Sequence, residues 1–277
     1  MMADETTRGH DALTMPDRAG TAPSPSVLGH LAGWLTVAAL TVLVLSPLGY
    51  RVRLLDAGWA MDGFATGLAA AALAVLAGVI GGAVSLASPG RRSGAASSLI
   101  YALVSAAALA GALYLVVLPG WDAPPIHDVT TAPDDPPRFD VLRQAHYAGL
   151  PYNTYRQYDQ QSGHRVSAAY ADLRTLVFDR SLRQVFDASL GAARALGWKV
   201  AVADRARGHV EAVDAATIFG FRDDIVIRIR LNQSGYTVLD IRSASRIPGS
   251  DYGRNAARIR AFAKSLQAHL PPMYRGP

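Results

Sequence analysis

Three long stretches of the chain, Leu28–Tyr50, Gly63–Gly90 and Ser93–Trp121, contain no Asp, Glu, Lys or Arg. A helix needs roughly 20 apolar residues to cross a hydrocarbon core about 30 Å thick, and each stretch offers that many. Three membrane-spanning helices are therefore predicted within 28–121. Tyr50, Trp59 and Trp121 stand near the run ends, where interfacial aromatics collect. The segment before the first run is long and carries both signs of charge, and no A-x-A site follows Leu45. The first run is thus expected to be a retained helix rather than a cleaved signal, preceded by a disordered tail over 1–27.

After Trp121 the pattern changes. Residues 122–180 open with Pro- and Asp-rich stretches at Ala123–Pro125 and Ala132–Pro137, which predict turns and extended chain. A short helix is predicted at Arg138–Tyr147. Tyr147, Tyr152, Tyr155, Tyr158 and Tyr170 read as side chains that lock this lead-in segment onto a domain. From Ser181 onward, Leu182, Val185, Phe186, Leu190, Ala193 and Leu196 fall at helical spacing, with Asp179 or Ser181 as cap and Gly197 as stop. Strand-like runs follow at 198–204, 209–215, 224–231 and 236–245. In the last pair, a three-residue loop Gln233-Ser234-Gly235 sets Ile229 opposite Leu239, Ile227 opposite Ile241 and Arg228 opposite Asp240. Apolar residues then meet apolar ones and charges pair across the strands. A final helix is predicted from Asp251 to His269, capped by Ser250 and stopped by Pro271-Pro272. Its apolar stripe is Ala256, Ile259, Ala263, Leu266 and Leu270, with Arg254, Arg258 and Lys264 facing away. The order predicts an α+β fold: three transmembrane helices over 28–121, then a two-layer domain over 122–277. That domain is expected to be an antiparallel four-stranded meander with two packed helices.

Charge distribution adds orientation. Arg8 and Arg18 precede the first run, Arg51 and Arg53 follow it, and Arg91 and Arg92 separate the second from the third. No Lys or Arg then occurs until Arg138, while Asp122, Asp128, Asp134 and Asp135 fill the gap. Positive charge favours the cytoplasmic side. The expected arrangement is an N-terminus inside and the folded domain in the periplasm, on the cytoplasmic (inner) membrane of a bacterium. Arg51 and Arg53 weigh the other way. The spans hold no ionisable residue at their centres, which disfavours an ion or proton path. Glycine pairs at Gly29/Gly33, Gly63/Gly67 and Gly78/Gly82 suit close helix packing, or a homo-oligomer formed through small-residue faces.

The net charge of +5 comes mostly from Arg, with Lys only at 199 and 264, and no basic block marks a nucleic-acid partner. The partners expected are the lipid bilayer and a membrane or periplasmic protein. With no cysteine, disulfides, zinc-thiolate sites and cysteine nucleophiles are excluded. The seven histidines show no metal-ligand spacing, and His127, beside Asp128, is the one with an obvious local acid partner. No metal and no cofactor are expected.

Several segments together resemble one family. Pro125-Ile126-His127-Asp128-Val129-Thr130-Thr131 with Pro136-Pro137 is similar to the opening segment of the bacterial and plastid family called domain of unknown function 1499. Tyr170-Ala171-Asp172-Leu173 resembles its next motif, with Ala171 where the family usually has Pro. Phe219 to Arg228 is similar to its central strand, and Arg242–Arg246 and Asp251–Ile259 to its closing strand, loop and helix. The likeness spans about residues 125–270. It implies membrane anchoring, as in some members, and no particular activity.

Two loops are candidate sites. Asp223 and Asp224 follow an aromatic, glycine-containing turn; as neighbours in a strand they point oppositely, which favours Arg-paired structural roles over a shared site. The stretch Arg242–Arg258 offers Arg242, Ser245, Arg246, Ser250, Asn255 and Arg258 around the start of a helix, whose free N–H groups attract anions. No catalytic residue is assigned. The leading expectation is a non-enzymatic membrane protein whose domain binds a protein partner or a small anionic ligand. The alternative is a membrane-bound enzyme acting on an anionic substrate through Phe219–Asp224 and Arg242–Arg258.

Overall fold

A computed structural model describes residues 26–88, 93–142, 160–247, 251–270 and 274–275. The expected tail over 1–27 lies outside the described residues except for Ser26 and Val27. The tyrosines at 147, 152, 155 and 158 and most of the helix predicted at 138–147 also lie outside them.

Among the described residues, three helices are long and apolar enough to cross a membrane. They are α1 (Val27–Arg51), α2 (Ala57–Ala87) and α3 (Ser93–Ala112), the last continuing as a π-helical turn over Leu113–Val117 and a 3-10 turn over Leu118–Gly120. At 1.5 Å per residue, the 25 residues of α1 and 31 of α2 span about 37 and 46 Å, which exceeds the hydrocarbon core. Helix α2 starts six residues before the charge-free run, because the Asp56 side chain accepts from Trp59 N–H and caps it.

Small residues bring these helices together. A Cβ on Gly78 would stand 2.6 Å from the Ser98 carbonyl oxygen, and one on Gly81 would stand 2.9 Å from Gly29 N. Only glycine permits such backbone contact. Thr36 Oγ1 and Ser105 Oγ, 2.9 Å apart, add a hydrogen bond between α1 and α3. Gly33, Gly63, Gly67 and Gly82 likewise face side chains of neighbouring helices. The glycine faces read from the sequence as close-packing or oligomer contacts are engaged in helix packing within the chain.

The polar half is an open antiparallel sheet with helices. Its meander is β3 (Lys199–Asp204), β4 (His209–Ala215), β5 (Arg222–Leu231) and β6 (Thr237–Ser245). Ile229 pairs with Leu239, Ile227 with Ile241 and Arg228 with Asp240, as the hydrophobic pattern requires. Gly235 takes φ +83° in the loop. Helix α5 (Leu182–Ala195) opens on a Ser181/Gln184 capping box, and α6 (Arg254–His269) follows β6. Ile225, Ile227, Ile229, Leu239 and Ile241 meet both helices in one core that includes Phe186, Ile259, Phe262 and Leu266.

The sheet is wider than the meander. The lead-in segment contributes β1 (Asp128–Thr130) and β2 (Leu176–Phe178), both paired with β6, and β7 (Tyr274–Arg275) pairs with β2. A short helix α4 (Gln160–Ala169) precedes β2. Phe139 and Leu142 then cover the sheet face away from the helices, against Val226 and Ala244. Every residue of β6 is consequently buried.

Two sequence expectations for the last helix are corrected. It begins at Arg254 rather than Asp251, with Gly253 at φ +72° in the cap position and no side-chain cap there. Ser250, the expected cap, lies outside the described residues. The Asp251 carboxylate instead accepts from Gly253 N–H (2.9 Å) and Asn255 N–H (2.6 Å). Arg258 does not face away with Lys264; it is buried against the sheet, and the half-exposed Arg254 also turns towards Asp223 at 3.7 Å. The apolar stripe narrows at the first turns of α6, and a polar cluster fills the space.

Candidate functional site

The strand period separates the candidate residues onto the two sheet faces. On the helix face, Asp223, Ser243 and Ser245 stand in register on β5 and β6, under the first turns of α6. Arg258 reaches down from α6. Its Nη2 donates to Asp223 Oδ2 (2.6 Å), its Nε to Asp214 Oδ2 (2.8 Å) and its Nη1 to Ser243 Oγ (3.0 Å) and Asn255 Oδ1 (2.6 Å). Asn255, fully buried, also accepts from Ser243 Oγ and donates through Nδ2 to Ser245 Oγ (3.0 Å) and the His127 carbonyl (2.9 Å). Each side-chain polar atom of Asn255 thus has a partner. Burial pushes the nearby Asp251 carboxyl up, and the Asp223 charge adds to this, against the pull of its two backbone N–H donors.

On the opposite face the pairing is equally closed. Asp224, fully buried, takes a two-pronged contact from Arg246 through Nε (3.0 Å) and Nη2 (2.7 Å). Arg242 grips Asp128 with Nε (2.8 Å) and Nη2 (2.6 Å), donates to the Pro137 carbonyl, and lies over the Phe139 ring. It fastens the lead-in segment to the sheet. Asp240 receives Arg228, Arg230 and the Thr175 hydroxyl. Planar guanidinium against carboxylate suits this work, since bidentate pairs fix geometry as well as charge.

The structure therefore brings Asp223, Ser245, Asn255 and Arg258 together and separates them from Asp224, Arg242 and Arg246. In both groups the carboxylates already hold guanidinium partners. Ser250 lies outside the described residues.

One group falls outside the sequence candidates. Glu211, fully buried, accepts at Oε1 from the backbone N–H groups of Asp140 and Val141 (3.1 Å to the latter), and at Oε2 from Leu142 N–H (2.7 Å). His209 Nε2 lies 2.9 Å from Oε1. Burial alone would raise the Glu211 carboxyl, but His209 and the three N–H groups outweigh it and hold it below the ordinary carboxylate range. His209 and Glu211 sit two apart on β4, on one face of the strand, so a period-two reading finds this acid partner. Asp140, His209 and Glu211 bring three ligand-type atoms within 4.8 Å of one another. Arg207 already pairs with Asp140 at 2.8 Å, and the N–H donors occupy the Glu211 oxygens. The arrangement is a latch on the lead-in segment.

The Phe219–Asp224 loop has a second role that its composition hints at. Between β4 and β5, residues 216–221 fold back on themselves through Ala216 N–H to the Phe221 carbonyl (2.8 Å) and Gly220 N–H to the Ala216 carbonyl (2.7 Å). This turn projects two stacked rings, Phe219 and Phe221, with centroids 4.7 Å apart. Phe219 packs edge-on to Phe64 of α2 (5.2 Å), and Phe221 to Tyr50 of α1 (4.8 Å). Leu43, Ala60, Ala108 and Val116 complete the cluster. Arg51, the last residue of α1, donates through Nε to the Ile218 carbonyl (2.9 Å) and through Nη2 to the Thr217 carbonyl. A second contact lies at Gly120, where a Cβ would collide with the Tyr252 carbonyl oxygen. The folded domain is thus seated on the ends of the apolar helices.

A family model described as protein of unknown function (DUF1499) matches residues 128–266. No curated protein matches the sequence.

Proposed function

The chain belongs to that DUF1499 family, and we propose that it acts as a non-catalytic binding domain held against a membrane by its own apolar helices. The observation that carries this reading is the docking turn: Phe219, Phe221 and Arg51 join domain and helices through aromatic packing and charged hydrogen bonds. A domain clamped in this way presents one fixed surface to partners near the bilayer. The closed pairing of Asp223 with Arg258 and of Asp224 with Arg246 supports a structural role for the candidate side chains. Among the described residues, the carboxylates of these loops are buried and paired rather than solvent-facing.

The arrangement we propose is a multi-pass protein of a bacterial inner membrane, with the N-terminus in the cytoplasm and residues 122–277 in the periplasm. The stretch from Ser93 to Pro137, which contains no Lys or Arg, supports it. Arg51, one of two residues weighing against it, is engaged on carbonyls of the domain. Alkaline phosphatase fused at the C-terminus should be active, and a cytosolic fluorescent reporter at the same position dark. Inactive phosphatase with a bright reporter would refute the orientation.

A further inference from the structure

Strands β1 and β2 share one edge of β6, end to end. β1 pairs with Arg242–Ala244 and β2 with Thr237–Leu239, which leaves Asp240 and Ile241 at a gap between them. Backbone and side chains of flanking residues fill it: Thr131 N–H donates to the Ile241 carbonyl (3.0 Å) and its Oγ1 accepts from Ile241 N–H (2.9 Å), Thr130 Oγ1 donates to the same carbonyl (3.1 Å), and Thr175 Oγ1 donates to Asp240 (2.5 Å). Beside this gap lies a cavity of about 330 Å³. Ligand pockets begin at about this size.

The lining has a definite character. Val166, Leu173 and Val177 give it an apolar wall, and Arg174 is the one charged residue lining it among the described residues. Arg174 Nε is held by the Ala171 carbonyl (3.0 Å), and among the described residues the guanidinium makes no ion pair. Arg228, Arg242, Arg246, Arg258 and Arg260, by contrast, each hold a carboxylate. Tyr170 also lines the cavity, almost wholly buried, and its hydroxyl has no hydrogen-bond partner among the described residues. Two segments that carried the family likeness, 125–131 and 170–173, converge here from some forty residues apart through Thr130, Thr131, Tyr170 and Leu173.

We propose that this cavity is a binding site for a small organic monoanion, with its carboxylate on Arg174 and a short aliphatic body against Leu173, Val166 and Val177. A charge-assisted pair with Arg174 supplies selectivity for the anion, and the apolar wall supplies affinity for the body. A volume of about 330 Å³ stands at the small end of ligand pockets and suits a short acid, of roughly six carbons. The assignment rests on the reading of the domain as a binding module and names its ligand class.

The test uses the full chain in lipid nanodiscs, with hexanoate as probe and hexanamide as its neutral counterpart, read by saturation-transfer NMR and calorimetry. Hexanoate should bind at least about 10-fold more tightly than the amide. Arg174→Gln, at an exposed position, should bring the two to parity. Ala171→Trp, which fills the cavity from its exposed side, should abolish both. A wild-type protein that prefers neither probe, or binds neither up to about 10 mM, overturns the proposal. So does a preference that survives Arg174→Gln. None of these outcomes alters the phosphatase-fusion result, so failure of the ligand site and failure of the membrane arrangement are told apart.

Discussion

Replacing Phe219 by Ala should release the domain from the helices without unfolding it. Phe219 is 3% exposed and sits between the rings of Phe64 and Phe221. Truncating a packed Phe costs about 3–5 kcal/mol, of which two ring–ring contacts account for about 1–3. A loss of that size weakens docking by roughly two to four orders of magnitude. The main domain core, built on Phe178, Phe186, Ile227 and Phe262, shares no residue with the docking cluster. Its own unfolding transition should therefore be unchanged. Spin labels at Leu54, exposed between α1 and α2, and at Ser234, in the β5–β6 loop, report the seating. The 10 residues of β5 put the loop about 30 Å from the docking turn. The wild type should give a narrow distance distribution by pulsed electron resonance. Phe219→Ala should broaden it, and Phe219→Ala with Arg51→Gln should broaden it further. A distribution that stays narrow in the double variant would mean that something other than this turn holds the domain.

Arg258→Met should cost about 3–5 kcal/mol in denaturant unfolding, since it leaves the buried Asp223 carboxylate with only the more distant Arg254 at 3.7 Å and takes the guanidinium from Asp214. Adding Asp223→Leu should recover much of the loss; no recovery would mean that the network is not structural. The Glu211 carboxyl is held below its ordinary value in the fold, so its contribution is complete above the unfolded value and is lost as pH falls through the lower folded value. Amide exchange at Asp140–Leu142, corrected for intrinsic rates, should accelerate over that acid window in the wild type; Glu211→Gln should remove the pH step. Gly78→Val would press a branched side chain onto the Ser98 carbonyl, which lies only 2.6 Å from where a Cβ would stand, and should make the α2–α3 loop region more sensitive to protease in membranes. Unchanged protease sensitivity would show that α2 and α3 can separate freely.

Much of this architecture can be read from the sequence because two signals are strong. Charge-free runs longer than a bilayer leave few alternatives to a membrane helix. In β5 and β6, alternating Ile and Arg against Leu, Ile and Asp fixes a register, since a slip by one residue would turn every Ile outward. The misses share a physical origin. Strands β1 and β2 have three residues each, too few for any periodicity to show, and form only because β6 offers them an edge. Charge alone places Arg258 outward, yet the small residues Ser243, Ser245 and Asn255 leave room beneath α6 for a guanidinium that meets two carboxylates. Phe219 and Phe221 read as part of an acidic site because Asp223 and Asp224 follow them. Two aromatic residues flanking a glycine at a hairpin tip are better read as an apolar contact surface, and the apolar partner stands in the first half of the chain.

The docking of the domain on the helices is tested most directly by thiol crosslinking in native membranes. The chain contains no cysteine, so Tyr50→Cys with Phe221→Cys gives a single possible pair, at positions whose rings are 4.8 Å apart. A short bifunctional thiol reagent should close an intramolecular link in most of the molecules, while Tyr50→Cys with Ser234→Cys should give none. Equal yields from the two pairs, or no link from the first, would show that the domain is not seated on these helices.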